Sequence, residues 1–385
     1  MDKMDYSIYC TPVKKSKVLI PDYIVNSGYL GDIYGFIHED TGIYVITGDR
    51  ESVSKESKAK LIGKIGQKKH VSKEGLIGVR NRAGLTFFFI NKGVVKEVEI
   101  EVYSFLQNIF SRNKGLLETD YMSDKCAVLI GAGSVCSLVA LQLARSGVGN
   151  FVLIDTDTMD IHNLCRHQCG FSDVGRFKVD AVADRILDIN PLAKVVKFIK
   201  TIQTVTEEEL VPYLGENSVL ITGADNREAD AWTSHIAYMS NTPFVSIGFW
   251  RRAFAGEVFY WLPGVHKSCY RCVLGRLKSG RVEQQRYYLD EQHLEQFNFE
   301  PGLSVDIDYG TTIGTKVILD VLNRNNKNYA TKVIDVYDQY ILTCNTNKES
   351  IGGEQAKMFE RPLMSYSLKT VHSETCPDCG EKKKE

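Results

Sequence analysis

The sequence predicts an α/β protein built on a doubly wound parallel sheet, preceded by a smaller N-terminal α+β domain. The first observation is two continuous apolar runs, residues 127–130 and 151–154, because only a strand covered on both faces is apolar throughout. The second is the helical pattern of residues 137–145 between them, since alternating strands and helices are typical of a parallel sheet. The third is a change near residue 120, before which short β-type runs alternate with charged turns.

Length and composition set the expected domain number and exclude several classes of protein. The chain has 385 residues, more than the usual size of one domain, and we expect domains at residues 1–107 and 108–385. A hydrophobic fraction of 43% and a charged fraction of 25% exclude global disorder and a fibrous repeat. The net charge of -1 gives no reason to expect nucleic acid or an anionic membrane as the main partner.

No targeting or membrane-spanning segment is predicted. The sequence begins MDKMDYSIYCTP, without the apolar core of a signal peptide. The longest apolar stretch, residues 127–144, is interrupted by Gly131, Gly133 and Ser134, so it does not predict a membrane span. We therefore expect a cytoplasmic protein.

The N-terminal domain contains one lysine-rich segment. Residues 54–69 carry six lysines, together with Leu61, Ile62 and Ile65. This spacing predicts an amphipathic helix with a basic outer face. Two interpretations remain open, a solvated helix and a docking surface for an acidic partner.

A glycine-rich turn follows the first buried strand. Gly131 and Gly133 form a G-x-G-x-x-G-like pattern before a helix, with Cys136 in place of the third glycine. Glycine allows a tight turn and close approach of phosphate, and the helix N-terminus offers free N–H groups. Asp155 ends the next strand, 22 residues after Gly133, where a carboxylate accepts hydrogen bonds from both ribose hydroxyls. Together they predict nucleotide binding but do not separate NAD from ATP.

Charged residues further along the chain favour ATP. Arg166 and Lys178 follow Asp155 and supply positive charge suited to a triphosphate, and Asp225 follows a later apolar run at residues 219–221. A carboxylate at the end of a strand can hold Mg²⁺ between phosphates. A dehydrogenase would not need this set. Surface ion pairing is the alternative for the two cations.

Taken in order, these motifs resemble the ThiF/MoeB and ubiquitin-activating-type adenylyltransferases over roughly residues 108–380. The motifs that carry the resemblance are Gly131-x-Gly133, Asp155-x-Asp157-x5-Asn163-x-x-Arg166-His167, Asp173-x4-Lys178, Ile189-Asn190-Pro191, Ala224-Asp225-Asn226 and Cys269-x-x-Cys272. The resemblance implies a Rossmann-like sheet, a homodimer and the use of ATP and Mg²⁺. It also implies activation of a carboxylate, often a peptide C-terminus, as an acyl-adenylate with release of pyrophosphate.

The resemblance further implies a role for each matching residue. Gly131, Gly133 and Ser134 border the phosphates, Asp155 binds the ribose, Asp157 and His167 belong to the same nucleotide site, Asn163, Arg166 and Lys178 contact phosphate, and Asp225 binds Mg²⁺. Arg112 resembles an arginine that reaches into the partner subunit's site, with a plain surface arginine as the alternative.

The chemistry agrees with Arg166, Lys178, Asp225 and Arg112 as catalytic residues. Positioned cations and Mg²⁺ offset the repulsion when a carboxylate attacks the α-phosphate. No general base is needed, because a carboxylate is already ionised at pH 7.

Two CxxC pairs predict a structural zinc site. Cys269 and Cys272 are separated by 103 residues from Cys376 and Cys379. Together the four thiolates complete a tetrahedral set with no open position, so the ion would attach the C-terminal tail to the body. Ten cysteines in a long chain without an export signal favour a metal site over disulfides. The alternative is two unrelated pairs of buried thiols.

The position of the other cysteines bears on the substrate. Family members that form thioesters usually carry a cysteine after the first metal pair, yet residues 273–343 contain none. Cys165, Cys169 and Cys344 remain candidates, although each also fits a core or loop position. The chain resembles the members that mature ribosomally made peptides, as in the microcin C and pantocin pathways, in three features: a domain of about a hundred residues before the Rossmann unit, the Ser111-Arg112-Asn113 segment between them, and two CxxC pairs without an evident thioester cysteine. In those members the N-terminal domain clamps the precursor peptide, often by strand addition; a packing or dimerisation domain is the alternative for residues 1–107.

Three functions from different classes follow. The first is ATP·Mg-dependent adenylation of a carboxylate on a ribosomal precursor peptide, with capture of the adenylate by an amide, amine or carbon nucleophile. The second is activation of the C-terminus of a ubiquitin-like or sulfur-carrier protein. The third is a nucleotide-binding scaffold without catalysis. A nicotinamide dehydrogenase is disfavoured, because it gives Arg166, Lys178 and Asp225 no reason to converge.

Overall fold

The computed structural model describes residues 16–38, 40–48, 59–67, 74–223, 226–273 and 301–380. The chain divides into two compact units, Met1–Ser111 and Arg112–Glu385. None of the helices in the described ranges is both long and apolar enough to cross a bilayer.

The first unit is a closed barrel of seven strands within the described residues. The strands are β1 (Lys17–Pro21), β2 (Gly31–His38), β3 (Ile43–Gly48), β4 (Lys60–Gly66), β5 (Gly75–Asn81), β6 (Gly84–Asn91) and β7 (Val94–Tyr103), in the order β1-β3-β2-β4-β5-β6-β7. Strand β1 runs parallel to both β3 and β7 and so closes the barrel. The short helix α1 (Asp22–Asn26) and a π-helical turn (Phe105–Ile109) complete the unit.

Alternation of apolar and polar side chains places the core inside this barrel. Along β3, every second residue from Tyr44 to Gly48 is buried, as expected for a strand with one face on a core. Ile20, Ile33 and Phe87 are fully buried in the same cluster. Every described strand of the barrel has two neighbours, so none of them offers a free edge.

The amphipathic helix predicted for residues 54–69 is wrong where the structure describes that range, because residues 60–66 form β4. A register shift in the pairing of β4 with β2 leaves Ile62 unpaired in the ladder. Such a bulge puts two successive residues of one strand opposite a single partner residue. The shift turns both Ile62 and Ile65 toward the core, where they are 7% and 0% exposed. Because the bulge places Ile62 and Ile65, three positions apart, on the same face, their spacing resembles that of an amphipathic helix.

The second unit is an α/β domain with one eight-stranded sheet among its described residues. Its strands are β8 (Cys126–Ile130), β9 (Asn150–Ile154), β10 (Lys194–Phe198), β11 (Ser218–Thr222), β12 (Phe244–Phe249), β13 (Ala255–Trp261), β14 (Tyr340–Cys344) and β15 (Ser365–Leu368). The spatial order is β10-β9-β8-β11-β12-β13-β14-β15. Strands β8 to β12 are parallel to one another, and β13 to β15 are antiparallel to their neighbours.

Helices cover both faces of this sheet, which confirms the predicted doubly wound fold. They are α2 (Thr119–Ser123), α3 (Ser134–Arg145), α4 (Lys178–Ile189), α5 (Glu207–Leu210), α6 (Arg227–Ser240), α7 (Ser304–Asn323) and α8 (Glu349–Gly352). Helices α3, α4 and α7 contribute to the core on one face, and α5 and α6 to the core on the other.

Short 3-10 helices join several of these elements. They span Ser111–Asn113, Ile161–Asn163, Phe171–Asp173, Ile202–Thr204, Val211–Tyr213, Arg251–Ala253 and Gly353–Met358. The chain leaves β8 toward β9 on one side and returns to β11 on the other. A crevice forms at such a reversal, outside the carboxyl ends of the strands, and it is where ligands bind in open α/β sheets.

Candidate functional site

The glycine-rich turn lies at this reversal, between β8 and α3. Gly131 has φ +95°, a conformation that favours glycine, and its N–H donates to Ile154 O at 2.8 Å. Helix α3 begins after Gly133 without a side-chain cap, so its first N–H groups remain available to an anion. A Cβ placed on Gly133 would meet nothing within 4 Å. The turn therefore has the open space and the donors that a phosphate needs.

Two predicted site residues hold the middle of this turn from opposite sides. Asp155 Oδ2 accepts a hydrogen bond from the Ala132 N–H at 2.6 Å. His167 Nε2 lies 2.7 Å from Ala132 O, and the N–H of Cys169 donates to His167 Nδ1 at 3.0 Å. Because Nδ1 accepts, the ring proton is on Nε2 and the imidazole is neutral. Burial lowers the pKa of His167, which favours the same neutral form.

Asp157 connects Asp155 to the start of α4. Its N–H donates to Asp155 Oδ1 at 2.8 Å, and its Oδ2 accepts from Lys178 Nζ at 2.8 Å. Lys178 is the first residue of α4, and its N–H donates to Asp157 O. The side chain of Lys178 is 12% exposed, against 63% for Asp157, so the ammonium group is held near the protein surface. Each oxygen of Asp155 has a second lone pair that is free to accept from a ribose hydroxyl.

Asn163 and Arg166 stand on the segment between β9 and α4. A capping box holds its 3-10 turn, in which Asn163 Oδ1 accepts from the Asp160 N–H at 2.9 Å. The N–H of Arg166 donates to Asn163 O at 3.0 Å, and the N–H of His167 donates to the same oxygen at 2.8 Å. One carbonyl group thus orients the half-buried Arg166 and the buried His167 together.

A buried carboxylate that received no role from the sequence organises the rest of this segment. Asp173 is 4% exposed and accepts from Arg176 at 2.8 Å, from Arg185 at 3.0 Å and from the Gly170 N–H at 3.0 Å. Burial raises the pKa of Asp173, but the hydrogen bonds from Gly170 and the two arginines outweigh it, so the pKa is lowered. The carboxylate stays charged and fixes the chain between Arg166 and Lys178. Its only sequence signal was the shared Asp173-x4-Lys178 motif.

Asp225, the predicted magnesium ligand, lies outside the described residues, but the residues on either side of it are informative. Asn226 caps α6, since its Oδ1 accepts from the N–H groups of Glu228 at 3.0 Å and Ala229 at 3.2 Å. A Cβ on Gly223 would lie 2.6 Å from Val135 and 3.0 Å from Cys136 Sγ. Gly223 thus provides the clearance beside α3 that is expected of the third glycine, which sequence reasoning did not identify.

Arg112 is exposed and lies away from the glycine-rich turn of its own chain. The neighbouring Asn113 donates to Arg145 O at 2.9 Å, at the C-terminal end of α3. Gly133 precedes the other end of this 12-residue helix, about 18 Å away. Within one chain, the structure does not bring Arg112 to the other predicted site residues.

The four predicted zinc ligands come together in one buried cluster. The sulfur atoms of Cys269, Cys272, Cys376 and Cys379 lie within 4.8 Å of one another. The Cys269–Cys376 and Cys272–Cys379 sulfur pairs are 3.5 and 3.4 Å apart, too far for a disulfide, which needs about 2.05 Å. Zn–S bonds of about 2.3 Å in a tetrahedron place sulfurs about 3.8 Å apart. The cluster therefore fits a zinc ion.

A carboxylate between the two cysteines of the C-terminal pair adds to this attachment. Asp378 accepts from Arg271 Nε at 2.8 Å and lies 3.0 Å from His235 Nδ1. The side chain of Asp378 is 4% exposed. The tail is thus joined both to the first CxxC turn, through Arg271, and to α6, through His235.

The candidate nucleophilic cysteines differ in exposure. Cys169 and Cys344 are buried, and Cys165 is exposed. Burial raises the pKa of both Cys169 and Cys344 to about 11, which disfavours the reactive thiolate at neutral pH. Of the three, only Cys165 is accessible for thioester formation.

Residues 108–296 match the ThiF family. The chain is 40% identical over 96 residues to the tRNA threonylcarbamoyladenosine dehydratase of Bacillus subtilis, covering 25% of this chain and 37% of that protein. It is 25% identical over 174 residues to the ubiquitin-like modifier-activating enzyme 5 of Caenorhabditis briggsae, covering 43% of this chain and 40% of that protein. The chain thus spans about two fifths of the length of these curated relatives.

A solved structure shares the fold over a longer stretch. The crystal structure of E. coli MccB with ATP has a TM-score of 0.51 and 18% sequence identity, covering 72% of this chain and 75% of that one. At this identity the likeness concerns the fold alone. It agrees with the doubly wound sheet described above.

Proposed function

Because residues 108–296 match the ThiF family, we propose that the protein is an ATP-dependent adenylyltransferase that activates a carboxylate of a ribosomally made precursor peptide. The observation that carries the proposal is that hydrogen bonds hold both the N–H and the carbonyl group of Ala132 in the glycine-rich turn. Its N–H is bound by Asp155 and its carbonyl by neutral His167, beside the uncapped start of α3. A turn held so tightly is suited to a phosphate whose position decides the reaction.

The proposed reaction is attack by a carboxylate oxygen on the α-phosphorus of ATP. A new O–P bond forms, the P–O bond to the β-phosphate breaks, and pyrophosphate leaves with the electron pair. Gly131, Gly133 and Ser134 border the phosphates through backbone groups, Asp155 binds the ribose, and Asn163, Arg166 and Lys178 contact phosphate. The positive side chains offset the charge that builds on the phosphoryl oxygens. Asp225 would hold Mg²⁺, which would supply further positive charge to offset the same build-up of negative charge.

Lys178 has a particular task in this proposal. Its ammonium group is bound to Asp157 in the structure, and Asp157 is also bonded to Asp155 through its N–H. A triphosphate carries more negative charge than one carboxylate, so its arrival would attract the Lys178 ammonium group away from Asp157, or the ammonium group would bind phosphate and Asp157 together. The ion pair with Asp157 thus keeps the Lys178 ammonium group next to the position where the phosphates are expected.

A peptide substrate is favoured over a carrier protein by the cysteines. Residues 273–343 contain none, and Cys169 and Cys344 are buried. An enzyme without a thiol in that segment would pass the adenylate directly to an amide, amine or carbon nucleophile. We propose that the barrel of the first unit binds the precursor peptide. Its described strands have no free edge, so the peptide would bind to the outer surface of the barrel and not extend a sheet.

Activation of a ubiquitin-like or sulfur-carrier protein is the second candidate. The observation that favours it is Cys165, which is exposed and adjacent to Arg166 in the chain. A thioester on that sulfur, reducible by thiol and abolished by Cys165→Ser, is its distinguishing result. A homodimer belongs to both candidates, with Arg112 acting in the site of the other copy.

The test uses the full chain, ATP, Mg²⁺ and the peptide encoded beside its gene. Exchange of labelled pyrophosphate into ATP, together with a mass change of the peptide, is the expected result. Lys178→Ala should abolish exchange. Lys197→Ala is the matched control, because Lys197 also pairs with a residue of α4, Asp180, at 2.9 Å. Peptide-dependent exchange that is absent in the unmodified chain, or retained in Lys178→Ala, contradicts the proposal.

A further inference from the structure

Helix α6 lies along the cysteine cluster over most of its length. Four residues of the helix contact the first CxxC turn or the cluster itself: Arg227, Asp230, Ser234 and Tyr238. Their spacing of three or four positions places them on one face of the helix. The first and last of them are about 17 Å apart along the helix axis. The zinc-binding segment therefore supports a whole face of α6 and not one end.

Tyr270 makes three of these four contacts. It stands between the two cysteines of the first CxxC pair in the chain and is 2% exposed. Its N–H donates to Ser234 Oγ at 3.4 Å, and its OH donates to Asp230 Oδ2 at 3.2 Å. The same hydroxyl group accepts from the guanidinium of Arg227. One residue of the zinc-binding turn is thus bonded to successive turns of α6.

The ring of Tyr270 is also packed into the core beneath α6. Its centroid lies 5.8 Å from that of Phe244 on β12 and 5.2 Å from that of Phe259 on β13. Both phenylalanines belong to the core on the face of the sheet that α6 covers. Because interiors are close-packed, the CxxC turn cannot shift without disturbing the core on which α6 rests.

The C-terminal CxxC pair contacts the same helix. Asp378, between its two cysteines, lies 3.0 Å from Nδ1 of His235 on α6. The same carboxylate accepts from Arg271 of the first turn at 2.8 Å. Both cysteine pairs are therefore connected to α6, in addition to their connection with each other.

The first turn of α6 depends on such tertiary contacts. Arg227 is its first residue, where the partial positive charge of the helix N-terminus disfavours a cation. Arg227 is held there by the buried carboxylate of Glu257, which is 3% exposed, and by Tyr270 OH. Loss of the Tyr270 contact would leave this turn with less support than an ordinary helix start has.

We propose that zinc binding and the order of helix α6 are coupled through Tyr270, so that loss of the metal loosens this helix as well as the C-terminal tail. Four thiolates on one ion fix the turn that carries Tyr270, and Tyr270 in turn fixes α6. Coupling of this kind is reciprocal, so the contacts of Tyr270 with α6 also raise the affinity for zinc. The inference goes beyond the proposed adenylation and does not depend on it.

The experiment follows amide hydrogen exchange in the full chain with zinc bound and after its removal by a chelator. Helix α7 is the internal reference, because it packs on the other face of the sheet. We expect exchange in residues 227–240 to become at least about fivefold faster without zinc, the lower end of the range for coupled sites. Exchange in residues 304–323 should change much less.

Tyr270→Phe tests the coupling with zinc still bound. The variant keeps the ring and all four cysteines but removes the hydroxyl group that contacts α6. We expect faster exchange in α6 and a zinc affinity, measured by competition with a chelator, that is lower by about fivefold, the effect of one lost hydrogen bond. Tyr329→Phe is the matched control, since Tyr329 OH donates to Asp320 Oδ1 of α7 at 2.8 Å. It should lower the melting temperature without changing zinc affinity or exchange in α6.

Each outcome decides the proposal. Zinc loss without faster exchange in α6 contradicts it, as does an unchanged zinc affinity in Tyr270→Phe or an equal loss of affinity in Tyr329→Phe. If the metal-free chain unfolds altogether, the comparison of the two variants with zinc bound decides. A purified chain that binds no zinc contradicts the metal site and this inference with it, and leaves the adenylation proposal unaffected.

Discussion

His167 and Ala132 are joined by a hydrogen bond of 2.7 Å between Nε2 of the buried imidazole and the carbonyl oxygen of the glycine-rich turn. The N–H of Cys169 occupies the other ring nitrogen at 3.0 Å. Both contacts need the neutral ring with its proton on Nε2, because a protonated Nδ1 cannot accept. The conformation of the turn therefore depends on the charge state of one histidine.

Replacing His167 should weaken nucleotide binding. His167→Ala leaves the carbonyl of Ala132 without this donor and the turn without its support, and we expect ATP affinity to fall about tenfold, the effect of one lost hydrogen bond. Isothermal titration calorimetry measures the change. A His167→Ala variant with unchanged ATP affinity would show that Asp155 alone holds the turn.

The same contact predicts a pH dependence. The pKa of His167 is lowered below its ordinary 6.5, so the folded protein binds this proton less tightly than the unfolded chain does. The stability it contributes is present above pH 6.5 and is lost as pH falls below that value. ATP affinity should fall over the same range, and His167→Ala should lack this dependence. A pH profile shared by both proteins would assign the effect to another group.

The titration of Asp230 should make the stability depend on pH in the direction opposite to that of His167. Burial raises its pKa from 3.8 to about 6, beside the charges of Arg227 and Glu257 and the phenol of Tyr270. A raised pKa contributes stability that is present below about pH 4 and lost as pH rises through about 6. Asp230→Asn removes the buried charge, so we expect it to stabilise the protein at pH 8 by about 1–3 kcal/mol.

Urea unfolding at pH 8 and pH 5 tests this expectation. At pH 5 the native carboxyl group is largely protonated while the unfolded one is still ionised, so Asp230→Asn should change the free energy of unfolding by about half as much there. Destabilisation by Asp230→Asn at pH 8 would mean that the charge of Asp230 is needed by Arg227.

The cysteine cluster predicts one tightly held zinc ion per chain. Elemental analysis of the purified protein should give about one equivalent, since four thiolates complete the coordination shell. Cys376→Ser should lose the metal and free the C-terminal tail, which becomes sensitive to protease. Asp378→Asn is the matched control, because it removes the pairs to Arg271 and His235 but no ligand. Full zinc content in Cys376→Ser would contradict the four-sulfur site.

The ion pair between Lys178 and Asp157 predicts an electrostatic effect on ATP affinity that is separate from catalysis. Asp157→Asn releases the ammonium of Lys178 from its 2.8 Å ion pair, which leaves it freer to meet phosphate. Because the Asp157 partner is 63% exposed, the pair contributes about 0–1 kcal/mol and stability should hardly change, while ATP affinity should stay equal or rise up to about fivefold. Titration calorimetry with ATP measures it, and a tenfold loss would instead indicate that Asp157 itself binds the nucleotide or its metal.

The parts of the fold that were predicted correctly depend on neighbours in the chain. The helical pattern of residues 137–145 is helix α3, Ser134–Arg145. The buried runs at 127–130 and 151–154 are strands β8 and β9. In each, the periodicity of apolar residues is local and no interruption shifts its phase. In β4 a bulge shifted the phase, and the same reasoning predicted a helix.

The amino-acid sequence by itself determined the doubly wound class, the glycine-rich turn and the four cysteines, because each depends on residue types at short spacings or on ligand chemistry. Only the tertiary structure decided that His167 supports Ala132, that Gly223 makes room beside Cys136 and that Glu257 faces Arg227. Each of these relationships joins residues about 30 or more positions apart. Such partners are brought together by the order and register of the strands, which no local pattern of side chains encodes.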